Sequence, residues 1–157
     1  METRETVRAV LLDSADRLLM FRLVDSEGAP RWTCPGGGLK EGEGLDEAVR
    51  RELWEETGLV DVQVGPLVWV GTPWITHRRG YAQLVKQSYV LVRTISTQVD
   101  HRSLQDHERK SIKGYRWWSL SELKATPERL LPDDDLVPQL ESILECGPPP
   151  EPVTVSG

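Results

Sequence analysis

The feature that most constrains this chain is a cluster of acidic residues at helical spacing. Glu52, Glu55 and Glu56 stand at positions i, i+3 and i+4, so on an α-helix their side chains share one face. Like charges this close repel one another and weaken the helix. A divalent cation removes the penalty, because it binds several carboxylate oxygens at once. The spacing therefore predicts a helix with a metal-binding face.

Both ends of this helix are marked in the sequence. We expect it to begin near Gly44 or Leu45, with the acidic Asp46 and Glu47 in its first turn, and to end at a left-handed Gly58. Apolar residues recur at steps of three and four and form a stripe for core packing: Leu45, Ala48, Val49 and Leu53. One face of the helix should pack on the core while another face carries the acids.

A glycine-rich segment, Cys34–Gly38, precedes the helix. Its backbone should form a tight loop that approaches a ligand without Cβ interference. Such loops often bind phosphate at a helix start. It is not a Walker loop, because Lys40 is followed by Glu41 and Gly42 and not by Ser or Thr.

The alternative for the acidic cluster is a solvated helix face, the usual interpretation of a charge run. Such a face would be expected to intersperse lysines four residues from the acids. The glycine loop and Arg51 favour the metal-binding interpretation over this one.

Length and charge limit the class of protein. A chain of 157 residues predicts one domain, which we place at 1–146, followed by a Pro-rich flexible tail at 147–157. The net charge of -6 argues against a nucleic-acid polymer as partner. Two cysteines, a charged N-terminal segment and no long apolar stretch predict a cytoplasmic protein without a membrane span or disulfide framework.

The remaining pattern predicts an α+β domain with a mixed sheet. A capping box at Ser119 predicts one further helix, and residues 133–145 predict the last. Loops are expected at 71–80 and 96–110 from their Gly, Pro and polar content. Alternating or β-branched segments predict strands at 7–12, 17–23, 62–70, 81–94 and 112–118.

The acidic segment resembles the signature of the Nudix (MutT-like) hydrolases, G-x5-E-x7-R-E-U-x-E-E-x-G-U, where U is aliphatic. Every position of that pattern is filled: Gly37, Glu43, Arg51, Glu52, Leu53, Glu55, Glu56, Gly58 and Leu59. The approach Trp32–Gly37 and the run Arg116–Leu123 also resemble this family. The resemblance implies the Nudix α/β/α sandwich around a mixed sheet.

The resemblance also implies roles for single residues. Glu52 is expected to be a metal ligand or the general base, Glu55 and Glu56 to be metal ligands, and the Gly36 carbonyl to join the metal shell. Arg51 is expected to orient a neighbouring glutamate. Glu43 should support the loop by pairing with a nearby cation. Mg2+ is the expected metal, with Mn2+ as an alternative, since hard cations suit oxygen ligands.

Three further positions are candidates for the site. We expect Gly37 and Gly38 to contact substrate through the loop backbone. Trp74 is the tryptophan we expect to contact substrate, because it lies in a predicted loop.

Other acidic, histidine and cysteine residues outside the signature carry weaker signals. Glu108 is a candidate catalytic or metal-binding residue, against the equal alternative of a solvated acid. The histidines at 77, 101 and 107 have no metal-site spacing, and Cys34 should be a small buried residue.

The expected activity is metal-dependent hydrolysis of a diphosphate bond in a nucleoside diphosphate-linked substrate. A nucleoside triphosphate is the first candidate, and ADP-ribose or another nucleotide sugar is the alternative. Two other functions stay open: a nucleotide-binding module without turnover, and an isomerase of isoprenoid diphosphates, for which we find no matching cysteine and glutamate. We expect a small-molecule nucleotide partner, no membrane, and a monomer or homodimer.

Overall fold

The computed structural model describes residues 1–100 and 112–157. Ten strands and three helices lie in these residues. The strands are β1 (Glu2–Leu12), β2 (Leu18–Val24), β3 (Pro30–Thr33), β4 (Gly36–Gly38), β5 (Val62–Gly71), β6 (Trp74–Arg78), β7 (Tyr81–Thr94), β8 (Gly114–Trp118), β9 (Arg129–Leu130) and β10 (Val153–Val155). The helices are α1 (Leu45–Thr57), α2 (Leu120–Ala125) and α3 (Leu136–Cys146).

The strands form one mixed sheet in the order β10-β5-β7-β1-β2-β3-β9. Its centre is the parallel pair of β1 and β7, whose register runs from Glu2 opposite Gln83 to Leu12 opposite Arg93. Three strands pair beside this path, since β4 pairs with β1, β6 with β7 and β8 with β2. The central strand β1 therefore positions the signature segment, because β4 pairs with it and α1 packs against it.

Alternation along β1 places two apolar cores on opposite faces of the sheet. Val7, Ala9 and Leu11 pack with the apolar stripe of α1. Val10 and Leu12 belong to a second core, which includes the buried face of α3. A mixed sheet between helices is an α/β/α sandwich, so the predicted fold class is confirmed.

Two predicted loops are wrong in part. The segment 71–80 contains β6, which pairs antiparallel with β7 from Trp74 opposite Val85 to Arg78 opposite Tyr81. Pro73 and Gly80 predict a loop, but they lie on either side of this hairpin strand and not within it. The glycine segment contains β4, which pairs with residues 6–8 of β1. Backbone hydrogen bonds to a neighbouring strand form even where the side chains have no strand propensity.

The flexible tail predicted at 147–157 is also wrong for its second half. Val153–Val155 adds β10 in parallel to the edge of β5. Val155 is buried in the core that contains α3, and the Thr72 hydroxyl donates to its carbonyl oxygen at 2.9 Å. The prolines of this segment end the helix, but they do not prevent an edge strand, and β10 begins directly after Pro152.

The helix predictions hold with small shifts in their bounds. α1 starts at Leu45, and α2 carries the expected capping box of Ser119 and Glu122. The last helix starts at Leu136, three residues later than predicted. In the described part of the chain, no helix is both long and apolar enough to cross a bilayer.

Candidate functional site

The caps and packing stripe of α1 fix the position of its acids. The N–H of Gly58, which has a left-handed φ of 75°, donates to the Trp54 carbonyl and ends the helix. Ala48, Val49 and Leu53 are buried against the sheet. Glu52 and Glu56 are only 4% and 3% exposed. These two carboxylates are thus buried at the sheet side of the helix, which excludes the solvated-face interpretation for them.

One arginine joins the acids of the signature. Nη1 of Arg51 donates to Oε1 of Glu52 and to Oε2 of Glu55, both at 3.1 Å. Its Nη2 donates to the Gly38 carbonyl oxygen at 2.9 Å. The cation that the clustered acids require is therefore supplied in part by the chain itself.

Glu43 has the supporting role predicted for it. Its carboxylate accepts hydrogen bonds from Nε and Nη2 of Arg51 at 2.7 and 2.9 Å, which form a bidentate pair. It also accepts a hydrogen bond from the Lys40 N–H at 2.8 Å. The Arg51 hydrogen bond, followed by that of the Lys40 backbone, lowers the pKa of Glu43 to about 2. The hydrogen bonds that Arg51 donates to Glu43 raise the pKa of the guanidinium. This pair holds the loop against the helix.

Glu56 holds the other end of the glycine segment. Its Oε1 accepts the Gly36 N–H at 2.7 Å. Gly36 has a φ of +150°, and a Cβ there would lie 2.0 Å from the Val7 carbonyl oxygen. No side chain fits at this position, because the segment approaches β1 so closely.

Gly37 lies directly against Glu52. A Cβ at Gly37 would lie 2.6 Å from Oε1 of Glu52. The glycine therefore leaves the space that the carboxylate occupies. Gly36 and Gly37 are thus explained by close approach to protein groups, namely the β1 backbone and the Glu52 carboxylate. The expected approach of this segment to a ligand stays a prediction.

The acidic residues fit a hard divalent metal by their chemistry. Three carboxylates and the Gly36 carbonyl provide the oxygen donors that Mg2+ and Mn2+ prefer. Among the described residues, no three acidic, histidine or cysteine side chains converge closely enough to form a ready-made metal cluster. Arg51 donates to Glu52 and Glu55, and the Gly36 N–H donates to Glu56, so protein groups already engage part of the donor set.

These acids line a cleft of about 480 Å³. We call Arg51, Glu52, Glu55 and Glu56 its acidic wall. The opposite charges, Arg4, Arg8 and Lys40, form its basic wall. The glycines of β4 and the apolar side chains of Phe21, Leu23 and Ile112 complete the lining. The volume of this cleft is typical of small-ligand sites, and its lining is strongly charged.

The basic wall was not predicted from the sequence. Its signal is the alternation of β1, where Arg4, Thr6 and Arg8 share one face and Val7 and Ala9 the other. The pairing of β1 with the glycine strand β4 joins segments that are distant in sequence, and no local pattern predicts it.

Other predicted site residues lie elsewhere. Trp74 is on β6, 36% exposed, and is not among the residues that line the cleft. Its ring instead contacts Gly157, where a Cβ would lie 3.0 Å from Cε3 of Trp74. His77 is exposed on the same strand. Glu108 lies outside the described residues, so its role stays a prediction.

Cys34 is fully buried beside the glycine segment, as predicted. Burial raises the pKa of its thiol to about 12, although the charge of Arg8 opposes this shift. The thiol therefore stays protonated at neutral pH and is not a nucleophile.

Comparison with known proteins agrees with this fold. The family model of the NUDIX domain matches residues 2–140. The chain is 38% identical over 104 residues to Nudix hydrolase 19, chloroplastic, of Arabidopsis thaliana, covering 62% of this chain and 23% of that protein. It is 31% identical over 141 residues to an RNA pyrophosphohydrolase of Caulobacter vibrioides, covering 82% of this chain and 77% of the relative. The chain belongs to the Nudix family.

Two further comparisons bear on length and fold. The chain spans only 59% of the length of an RNA pyrophosphohydrolase of Actinobacillus pleuropneumoniae, to which it is 30% identical over 74% of its own length. Among solved structures, an ADP-ribose pyrophosphatase of Streptococcus suis is similar at a TM-score of 0.59 and 19% identity, over 96% of both chains. At that identity the likeness concerns the fold alone.

Proposed function

We propose that this chain is a Mg2+-dependent hydrolase of a diphosphate bond in a nucleoside diphosphate-linked substrate, with a nucleoside triphosphate as the first candidate. The observation that carries the proposal is the juxtaposition of two walls in one cleft, one with three carboxylates and one with three cations. Carboxylates suit the metal, and cations suit phosphate oxygens.

The residues have distinct roles in this proposal. Glu52, Glu55, Glu56 and the Gly36 carbonyl would hold the metal, with Glu52 as a ligand or as the base that takes a proton from water. Bound metal would offset the charge that develops on the phosphate oxygens. Arg51 holds Glu52 and Glu55 by hydrogen bonds from one nitrogen, and so fixes their spacing. Gly37 and Gly38 line the cleft and would contact substrate through their backbone.

The names of the relatives supply a second candidate substrate. Several relatives near 30% identity are named RNA pyrophosphohydrolase. The 5′ end of an RNA offers the same triphosphate as a free nucleotide. The net charge of -6 opposes binding of a long backbone, but it does not oppose recognition of one triphosphate end by a local basic wall.

A substrate panel with Mg2+, with products identified by mass spectrometry, tests the proposal. Glu52→Gln should lower kcat by about a thousandfold, because a metal ligand or base contributes several kcal/mol to the transition state. Glu47→Gln is the matched control, since Glu47 is an exposed acid in the first turn of the same helix. EDTA should abolish turnover, and oxygen-18 water should label one phosphate product.

The outcome decides between hydrolase and binding module. If the wild type and Glu52→Gln bind a nucleotide tightly and are equally inactive on every substrate, the hydrolase proposal is wrong. If Glu47→Gln loses as much activity as Glu52→Gln, the loss reflects the helix and not the metal site.

A further inference from the structure

Arg8 differs from Arg51, which also lines the cleft, in the partners that hold it. Its Nε donates to Oε1 of Gln87 at 3.0 Å. Its Nη1 donates to the carbonyl oxygens of Cys34 and Gly36 at 3.1 and 3.2 Å. All three acceptors are neutral. Among the described residues, no carboxylate lies within 4.0 Å of this guanidinium, so its charge is left uncompensated.

The position of Arg8 is fixed through a buried chain of hydrogen bonds. Oε1 of Gln87 also accepts the Thr6 hydroxyl at 3.1 Å, and Nε2 of Gln87 donates to the Tyr89 hydroxyl at 3.0 Å. Gln87 and Tyr89 are buried on β7. An arginine whose rotamer is fixed in advance loses little entropy when it binds a ligand.

One edge of the guanidinium remains available. Nε and Nη1 are engaged by the protein, whereas Nη2 has no protein acceptor within the described part of the chain. Arg8 lines the cleft. Its charge and its free donors therefore suit an anion in the cleft, and guanidinium groups bind phosphate by charge-assisted hydrogen bonds.

Gly36 sets the distance between this arginine and the acidic wall. Its carbonyl oxygen accepts from Arg8, and its N–H donates to Glu56. Because the Arg8 guanidinium and the Glu56 carboxylate both form hydrogen bonds with Gly36, they lie within about 10 Å of each other. A phosphate chain whose one end meets the acidic wall through metal can therefore reach Arg8 with a neighbouring phosphate.

The geometry points to Arg8 as the residue that binds the phosphate beyond the cleaved bond, and so favours substrates that end in a free terminal phosphate. Such a phosphate carries about 1.5 to 2 negative charges at neutral pH, more than a phosphate inside a diester linkage. The shared chemistry is a 5′-triphosphate, on a free nucleotide or on an RNA end. This role of Arg8 rests on the proposed function, which supplies the reaction.

Binding without metal tests this role separately from turnover. We would titrate the full chain with inorganic triphosphate in EDTA and follow the heat of binding. Arg8→Gln should weaken binding roughly 10- to 100-fold, the range for a hydrogen bond to a charged group. Arg93→Gln is the control, because Arg93 is exposed outside the cleft and pairs with Asp16.

Gln87→Glu distinguishes phosphate binding from a purely structural role of Arg8. The substitution keeps the size of the side chain and places a carboxylate against Nε of Arg8. It should strengthen the contact between residue 87 and Arg8, offset the charge of the guanidinium and weaken triphosphate binding. If Gln87→Glu, or a folded Arg8→Gln, binds triphosphate as the wild type does, the assignment to Arg8 is wrong. If Arg8→Gln fails to fold, Gln87→Glu decides alone.

Kinetics with Mg2+ test the selectivity. Arg8→Gln should raise KM about tenfold or more for GTP and for an RNA oligonucleotide with a 5′-triphosphate, and less for ADP-ribose. Comparison of the first two substrates separates the free nucleotide from the RNA end. An equal rise for ADP-ribose would exclude recognition of the terminal phosphate. A wild type that hydrolyses none of the three, yet binds triphosphate through Arg8, would refute the proposed function and leave Arg8 as a phosphate-binding residue.

Discussion

The two walls of the cleft handle charge in opposite ways. On the acidic wall, Arg51 pairs with Glu43, Glu52 and Glu55, so part of the carboxylate charge is offset within the protein. On the basic wall, Arg8 donates to neutral oxygens, and among residues 1–100 and 112–157 no carboxylate pairs with it. Charges that pair within the protein hold the local geometry of the site. A charge without a counterion that is held in a fixed position favours binding of a ligand of opposite charge.

The largest effect is expected when the acidic wall loses its internal cation. Arg51→Met should lower the free energy of unfolding by about 3 kcal/mol at neutral pH, because it leaves carboxylates of low exposure uncompensated. Urea denaturation followed by tryptophan fluorescence measures this loss, and added Mg2+ should restore part of it. Arg50→Met is the control, since its pair with Asp46 is exposed and contributes at most about 1 kcal/mol.

The same variant has a defined pH dependence. The folded-state pKa of Glu43 is about 2 against an ordinary value of 4.5, so its pairing with Arg51 stabilises the fold fully only above the ordinary value. This contribution is lost as the pH falls through that window toward 2. The difference in stability between wild type and Arg51→Met should therefore shrink over the same window. A difference that stays constant there would contradict the pairing with Glu43.

A smaller effect is expected from moving one carboxylate of the acidic wall without changing any charge. Gly37→Ala places a Cβ 2.6 Å from Oε1 of Glu52, so that side chain must shift. Activity should fall about 100-fold, the effect of a displacement near 1 Å in a catalytic group, while the melting temperature changes little. Gly44→Ala is the control, because the nearest atom to its new Cβ is 3.8 Å away. Full activity of Gly37→Ala would show that the position of Glu52 is not critical.

The smallest effect is expected behind the basic wall. Tyr89→Phe removes the acceptor of Gln87 Nε2 and should lower stability by about 1 kcal/mol. It should also raise KM for a triphosphate, though less than Arg8→Gln, because Arg8 keeps its other partners. Tyr81→Phe, on an exposed residue of the same strand, should change neither quantity. An unchanged KM would mean that Arg8 does not need the buried chain for its position.

The acidic wall was predictable because its residues are neighbours in the sequence. Helical spacing alone brings Glu52, Glu55 and Glu56 to one side of a helix, and the cap at Gly58 follows from a local left-handed turn. The partner of Glu43 was predicted only as a nearby cation. That this cation is Arg51, and that one arginine serves three acids, appears only in the structure.

The failures follow from pairings that are distant in sequence. The flanking Pro73 and Gly80 predict a loop at Trp74–Arg78, whereas pairing with β7 makes this segment a strand. The tail was expected to be flexible, yet β10 extends the sheet at β5. Both segments are short, and their backbone hydrogen bonds, which local side-chain patterns do not encode, place them in the sheet.

The sequence by itself determined the family, the signature helix and the identity of the acids, because these depend on spacing within a few turns of chain. Tertiary structure alone decided which cations face the acids. Arg8 meets Gln87 across 79 positions of sequence, and the parallel register of β1 and β7 sets that contact. The register of distant strands depends on the packing of the whole core, so the position of Arg8 against Gln87 follows from the pairing of residues 2–12 with 83–93 and not from a local pattern.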